Sequence, residues 1–213
     1  KKEKEHTIDD FSIESGKKRI RYNLDQMKVI NALNKSIDSK KFNSHLLHGV
    51  TGSGKTEVFI EIIKRVINQG KSAIILLPEI SLTPQIAGRF KSVFGELTTL
   101  WHSKLTKSQR TSIWLKINNG DYKIVIGARS AIFAPLKNLG LIIVDEEHDS
   151  SYKQENPSPR YHARDVAIMR AKIENSSIVL SSATPSIESY YNYKINKYSY
   201  LSLPERYGKA TYP

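Results

Sequence analysis

The sequence predicts an α/β fold, a mostly parallel sheet with helices on both faces, and three observations carry that prediction. First, Gly49-Val50-Thr51-Gly52-Ser53-Gly54-Lys55-Thr56 stands between a short apolar run at 45–48 and a helical pattern with apolar positions at Val58, Ile62, Ile63, Val66 and Ile67. Strand, glycine-rich turn and helix in that order form a βα unit. Second, residues 72–77, 123–127, 141–144 and 177–180 are nearly continuous apolar runs, as strands are when both faces of a sheet are covered. Third, stretches of helical length separate them, the rhythm of parallel strands joined by crossover helices.

Each element has its own signal. Residues 1–23 are dense in charge (Lys1, Lys2, Glu3, Lys4, Glu5, Lys17, Lys18, Arg19, Arg21) and poor in apolar residues, so a linker is expected there. The chain starts without Met, which suggests a piece of something longer. Apolar positions at Leu24, Met27, Ile30, Leu33 and Ile37 predict an amphipathic helix, with Asn23 as its cap and Gln26 on its first turn. A helix through Phe94 follows Pro84, a strand is expected at 97–101, and Thr106 opens a helix that Asn118-Asn119-Gly120 ends. In that helix Trp114 shares helical spacing with Ile113 and Ile117, which assigns it to the core. Ser130 opens a turn that Pro135 ends, a helix is expected over 161–173, and Pro185 opens the next. One domain over 24–194 results, with 195–213 read as the start of a passage out of it.

Composition bounds the function. Of 213 residues, 33 are Lys or Arg and 21 Asp or Glu, a net charge of +12, which suits a polyanion such as nucleic acid. There is no cysteine, so disulfides and thiolate metal sites are excluded. No apolar run is long enough to span a bilayer and no signal-peptide pattern opens the chain; no membrane partner and a cytoplasmic location are expected.

The glycine-rich run has the form of a phosphate-binding P-loop. Its glycines let backbone N–H groups converge on phosphate oxygens, and the helix beginning near Lys55 adds its unpaired N–H groups. Lys55 would reach the β- and γ-phosphates of ATP, and the Thr56 hydroxyl would sit on Mg²⁺. The Gln26 amide both donates and accepts, as adenine recognition requires. Four apolar residues ending in Asp145-Glu146-Glu147-His148 put carboxylates at the carboxyl end of a buried strand, where open parallel sheets bind ligands. Asp145 would hold Mg²⁺ opposite Thr56, and Glu146 would polarise the attacking water. Hydroxyls of Ser181-Ser182-Ala183-Thr184 can bond Asp145 or Glu147, or cap the helix at Pro185. Beyond strand ends, Arg129 and Ser130, and Ser81 and Thr83, can meet DNA phosphates. Tyr152, Lys153, Arg160, Tyr161, His162 and Arg164 interleave rings with cations, a pattern for base stacking worth ~1–3 kcal/mol per base. His48 reads as a strand-end residue, and His102 has no metal-ligand partners at usable spacing.

Asp145-Glu146-Glu147-His148 resembles the DExH box of superfamily 2 helicases, and Ser181-Ser182-Ala183-Thr184-Pro185 resembles their third motif. Pro78-Glu79-Ile80-Ser81-Leu82-Thr83, Trp101-His102-Ser103, Gly127-Ala128-Arg129-Ser130-Ala131-Ile132-Phe133-Ala134-Pro135, and Tyr152-Lys153-Gln154 leading to Arg160-Tyr161-His162-Ala163-Arg164-Asp165 resemble the PriA family of bacterial replication-restart helicases. The resemblance runs from Leu24 to the end. It implies a RecA-like P-loop NTPase lobe, the first motor lobe of a DNA-dependent ATPase and 3′–5′ helicase acting on single-stranded and forked DNA. It also implies primosome and single-strand-binding proteins as partners. Lys55, Asp145 and Glu146 would be catalytic, Glu147, His148, Ser182 and Thr184 would sense and couple, and the aromatic-rich loop would link DNA to hydrolysis. A second lobe with its arginine finger, and zinc-binding cysteines, are expected downstream, so this lobe alone is expected to turn over poorly. Two other readings stay open: a nucleotide-gated DNA-binding scaffold for primosome proteins, and another superfamily 2 translocase.

Overall fold

A computed structural model describes residues 21–206. The helices are α1 (Leu24–Asp38), α2 (Lys55–Asn68), α3 (Pro84–Phe94), α4 (Lys107–Asn119), α5 (Ala163–Ile173) and α6 (Ile187–Lys194). The strands are β1 (Asn43–Gly49), β2 (Ser72–Leu76), β3 (Thr98–Trp101), β4 (Ile124–Gly127), β5 (Leu139–Asp145), β8 (Ser177–Ser182) and β9 (Ser199–Leu203), with a short ribbon of β6 (Lys153–Gln154) and β7 (Tyr161–His162). Seven of them form one sheet in the order β3-β4-β2-β5-β8-β1-β9, and every neighbouring pair is parallel. β6 and β7 pair antiparallel outside it. All parallel strands therefore end on the same side, and the glycine-rich turn after β1 and the acids after β5 are separated only by β8.

Two apolar layers sandwich the sheet, and adjacent strand residues feed opposite ones because side chains alternate. Leu47, Ile75 and Ile143 join Val29 and Leu33 of α1, Val58 and Ile62 of α2 and Phe90 of α3. Leu46, Ile74 and Ile142 join Ile117 of α4 and the Ala163, Ala167 and Ala171 stripe of α5. Three alanines one turn apart let α5 lie close on the sheet. Each large apolar side chain taken fully from water contributes about 1.5–3 kcal/mol, which is why the pattern fixes the layers.

The predicted parallel sheet with helices on both faces is the one found, and several details differ. The buried face of α1 is Gln26, Val29, Ile30, Leu33 and Ile37, whereas Leu24 and Met27 are exposed. Trp114 is not core: only Ile117 of α4 is buried, and Trp114 stays 41% exposed, leaning on Trp101 with ring centroids 6.0 Å apart. Residues 161–162 are strand, and the helix begins at Ala163. Both domain boundaries move outward. Tyr22 packs on the core and donates to Glu61 Oε2 at 3.0 Å, and Asn23 caps α1. At the other end, β9 pairs with β1 and belongs to the sheet rather than to a passage out of it. The rest of the charged segment, 1–20, and residues 207–213 lie outside the described residues.

Candidate functional site

The turn after β1 needs its glycines. Gly52 and Gly54 have φ of 78° and 81°, the left-handed region that side chains disfavour. A Cβ at Gly49 would stand 3.0 Å from Ser53 Oγ and 3.2 Å from the Lys55 chain. Ser53 N–H donates to Val50 O at 3.1 Å, closing the loop with Thr51 and Gly52 at its exposed tip. Thr56 sits on the first turn of α2, half-buried. The Lys55 ammonium donates to Gly49 O at 3.0 Å and to Glu146 Oε1 at 3.2 Å. Ser53 Oγ is buried without a hydrogen-bond partner. Beside this loop an open cleft of about 640 Å³ runs between Gly54, Lys55 and Thr56 and the α3 residues Gln85 and Arg89.

Gln26, expected to meet adenine, is turned into the protein. It is fully buried; its Nε2 donates to Ser53 O at 2.9 Å and its Oε1 accepts from Asn23 N–H at 3.0 Å. One amide N–H serves the phosphate loop and the amide oxygen serves the helix cap, so the residue clamps α1 to that loop.

Asp145 ends β5, and Ser181, its register partner on β8, donates to its Oδ1 at 2.9 Å. Burial pushes this carboxyl up from its usual range, while the Lys55 charge draws it back down. Glu146 takes φ of 46°, a left-handed conformation costing about 1–2 kcal/mol in a non-glycine residue. The turn this makes aims its carboxylate back at Lys55. Glu147 is fully buried and held by four donors: Ser186 N–H at 2.7 Å, Ser189 Oγ at 2.9 Å, Ser186 Oγ at 3.0 Å and Arg164 Nη1 at 3.1 Å. His148 Nδ1 shares a 2.8 Å hydrogen bond with Ser182 Oγ, which also accepts from Thr184 N–H. Of the expected hydroxyl contacts, then, Ser181 reaches Asp145, Ser182 serves His148, and Glu147 is served by Ser186 and Ser189. Ser186 is also the cap of α6, which begins at Ile187 rather than at Pro185, so the cap falls beyond the hydroxyls of 181–184 expected to provide it. The Ser-x-x-Ser after Pro185 was the available signal, legible as a cap and silent about Glu147.

The loops expected to meet DNA gather at the same carboxyl side. Ser81 and Thr83 follow β2, where Thr83 caps α3; Arg129 and Ser130 follow β4. Lys153 and Arg160 are exposed on the β6–β7 ribbon, and Tyr161 is half-buried against Phe133. Arg129 bridges to that ribbon: Nη1 donates to Lys153 O at 2.8 Å, and the guanidinium lies 5.9 Å from the Tyr161 ring centroid. Two assignments fail. Tyr152 cannot stack a base, because it is fully buried and its phenol donates to Asp145 O at 2.6 Å. Burial beside that acidic group pushes its pKa up, so the phenol stays a donor. Arg164 is not a phosphate contact either, since its side chain is 13% exposed and is consumed by Glu147 and by Ser186 Oγ at 2.9 Å.

The chain is 49% identical over 189 residues to the replication restart protein PriA of Chlamydia trachomatis, covering 89% of this chain and 25% of that protein. It is 48% identical over 189 residues to PriA of Bacillus subtilis, covering 89% of this chain and 23% of that protein. The chain thus spans about a quarter of the length of these relatives. Among solved structures, RecG bound to a three-way DNA junction superposes with a TM-score of 0.67 at 24% identity, covering 91% of this chain and 25% of that one. The Hef helicase domain of Pyrococcus furiosus gives 0.56 at 18% identity, covering 83% of this chain and 37% of that one. These two likenesses speak to the fold alone. A single family profile runs through residues 23–192, taking in the phosphate loop, the acidic box and the serines opposite it, and on that match the chain belongs to the DEAD/DEAH box helicase family.

Proposed function

We propose that this chain is the ATP-binding motor lobe of a DNA-dependent ATPase and 3′–5′ DNA helicase of PriA type, acting in primosome assembly and replication restart at stalled forks. The observation that carries the reading is the Lys55–Glu146 ion pair of 3.2 Å, set beside Asp145 at the mouth of a glycine cradle. Likeness to PriA proteins at 48–51% identity supports it. Cytoplasmic location, single-stranded and forked DNA, and primosome and single-strand-binding proteins as partners belong to the same proposal. Among the described residues no helix is long and apolar enough to cross a membrane.

The cradle fits a polyphosphate. Ser53 Oγ is a buried hydroxyl whose hydrogen bond is unmade within the protein, and Gly49 leaves the space a Cβ would fill. Thr56 and Asp145 would hold Mg²⁺, an oxygen donor set that suits an ion bound through one or two protein groups and phosphates. When bound, that ion neutralises charge on the phosphates. Lys55 and Glu146 divide the remaining work. Phosphate oxygens compete with Glu146 for the ammonium, so substrate entry releases the carboxylate to orient and deprotonate water.

Binding of a fluorescent ATP analogue by this lobe, read together with single-stranded-DNA-stimulated phosphate release by a full-length protein of PriA type that contains it, tests this. Lys55→Ala is expected to weaken analogue binding at least about tenfold. Glu146→Gln is expected to bind as tightly as wild type or tighter, because Lys55 loses its rival, while release falls by about a hundredfold or more. Unaltered binding by Lys55→Ala, or unaltered release by Glu146→Gln, would reject the assignment.

A further inference from the structure

We infer that Trp101 is a positioning residue for a nucleic-acid phosphate contact made by Ser130, an inference that rests on the DNA-binding reading above. Trp101 ends β3 at the edge of the sheet, 8% exposed, and its indole N–H donates to Ser130 Oγ at 3.1 Å. An indole nitrogen donates and never accepts. The bond therefore fixes the roles: Ser130 accepts from Trp101, and its own proton turns elsewhere. Ser130 is exposed, and among the described residues that proton meets no protein acceptor. The result is an outward-facing hydroxyl donor whose orientation is set from behind. An anionic, acceptor-only oxygen complements it, and a phosphodiester supplies one without regard to sequence.

The indole is itself held on several sides. The Arg110 guanidinium lies 5.9 Å from its ring centroid and donates to His102 O at 3.4 Å and Ser103 O at 3.1 Å. Trp114 packs with its ring centroid 6.0 Å away. Gly127 lets the ends of β3 and β4 close up, since a Cβ there would run into the Trp101 carbonyl and stand 3.0 Å from Trp101 Cβ. Ser103 Oγ bonds Glu79, so the turn after β2 is tied to the same group. Trp101 thus sits at the centre of a shelf built from the turns after β2, β3 and β4, with Arg110 adding positive charge beside it.

A double-mutant cycle on binding of a labelled single-stranded oligothymidylate tests the inference. Ser130→Ala and Trp101→Phe are each expected to weaken binding about threefold to tenfold, the net worth of one typical hydrogen bond. The double variant is expected to bind no more weakly than either single one, with ATP-analogue binding unchanged and Ser130→Thr like wild type. A purely structural role for Trp101 would weaken binding by the same factor in both backgrounds, and that additivity overturns the inference. Should Trp101→Phe fail to fold, the wild-type indole N–H resonances decide. That of Trp101 is expected to shift on adding oligonucleotide, and an unmoved resonance overturns the proposal. Wild-type binding with Ser130→Ala indistinguishable from it overturns this inference alone. Failure of the wild type to bind any oligonucleotide would remove the DNA-binding reading itself, and this inference with it.

Discussion

Both ring nitrogens of His45 are buried on β1 without a hydrogen-bond partner, and burial lowers its pKa from 6.5 to about 4. The folded state thus prefers the neutral ring, while the unfolded chain takes up a proton below about 6.5. Stability from this residue is fully present above pH 6.5 and drains away as pH falls toward 4, by up to about 3 kcal/mol. Urea unfolding at pH 7.5 and pH 5 should register that loss, and His45→Leu should remove most of the difference. At this scale the sequence was legible where chemistry follows from residue type and spacing. Lys55, Asp145 and Glu146 stand together as their order implied. Gln26 and Tyr152 lie deeper than their expected ligand contacts implied, for one reason: each has a charged neighbour in sequence, Asp25 and Lys153, yet each is sealed by packing from elements distant in sequence.

The β6–β7 ribbon is anchored to the acidic box at both ends. Tyr152 precedes it and bonds the Asp145 carbonyl; Arg164 follows it and bonds Glu147. The stretch between them carries the exposed Arg160. Arg164→Ala should cost about 3 kcal/mol or more, because it leaves a buried carboxylate without its cation. Arg160→Ala should stay within about 0.5 kcal/mol of wild type, as exposed substitutions do. Chemical denaturation of the two variants side by side checks the contrast. Of the interleaved rings and cations, Tyr152 and Arg164 face inward, a difference that composition does not express. Strands were easier to read than their partners. Apolar runs gave β2 and β4 to within a residue and the middle of β5 and the first part of β8, whereas β9, with its Ser-Tyr alternation at a sheet edge, was read as part of a passage out of the domain.

Across the whole molecule, the parallel sheet has two unlike ends. Phosphate loop, acidic box and the turns proposed to meet DNA lie at the carboxyl end. Lys71, Lys123 and Lys137 line a cavity of about 210 Å³ at the amino ends of β2, β4 and β5. The five residues of β2 separate these ends by about 16 Å, twice the screening length of about 8 Å at physiological salt. Lys71→Ala with Lys137→Ala should therefore leave oligonucleotide affinity within about twofold. Lys153→Ala with Arg160→Ala should weaken it and lower the salt dependence by about 0.7 per lost phosphate contact. A salt titration of both pairs distinguishes them. That β9 lies parallel to β1 carries one more consequence. Its last residue accepts from Val50 N–H at 3.2 Å, and Arg206 Cγ would lie 3.9 Å from a Cβ at Gly52. The backbone leaving the sheet thus departs alongside the phosphate cradle, hydrogen-bonded to its first turn. Tension applied to residues 204–206 acts first on that cradle, a lever built from one peptide group.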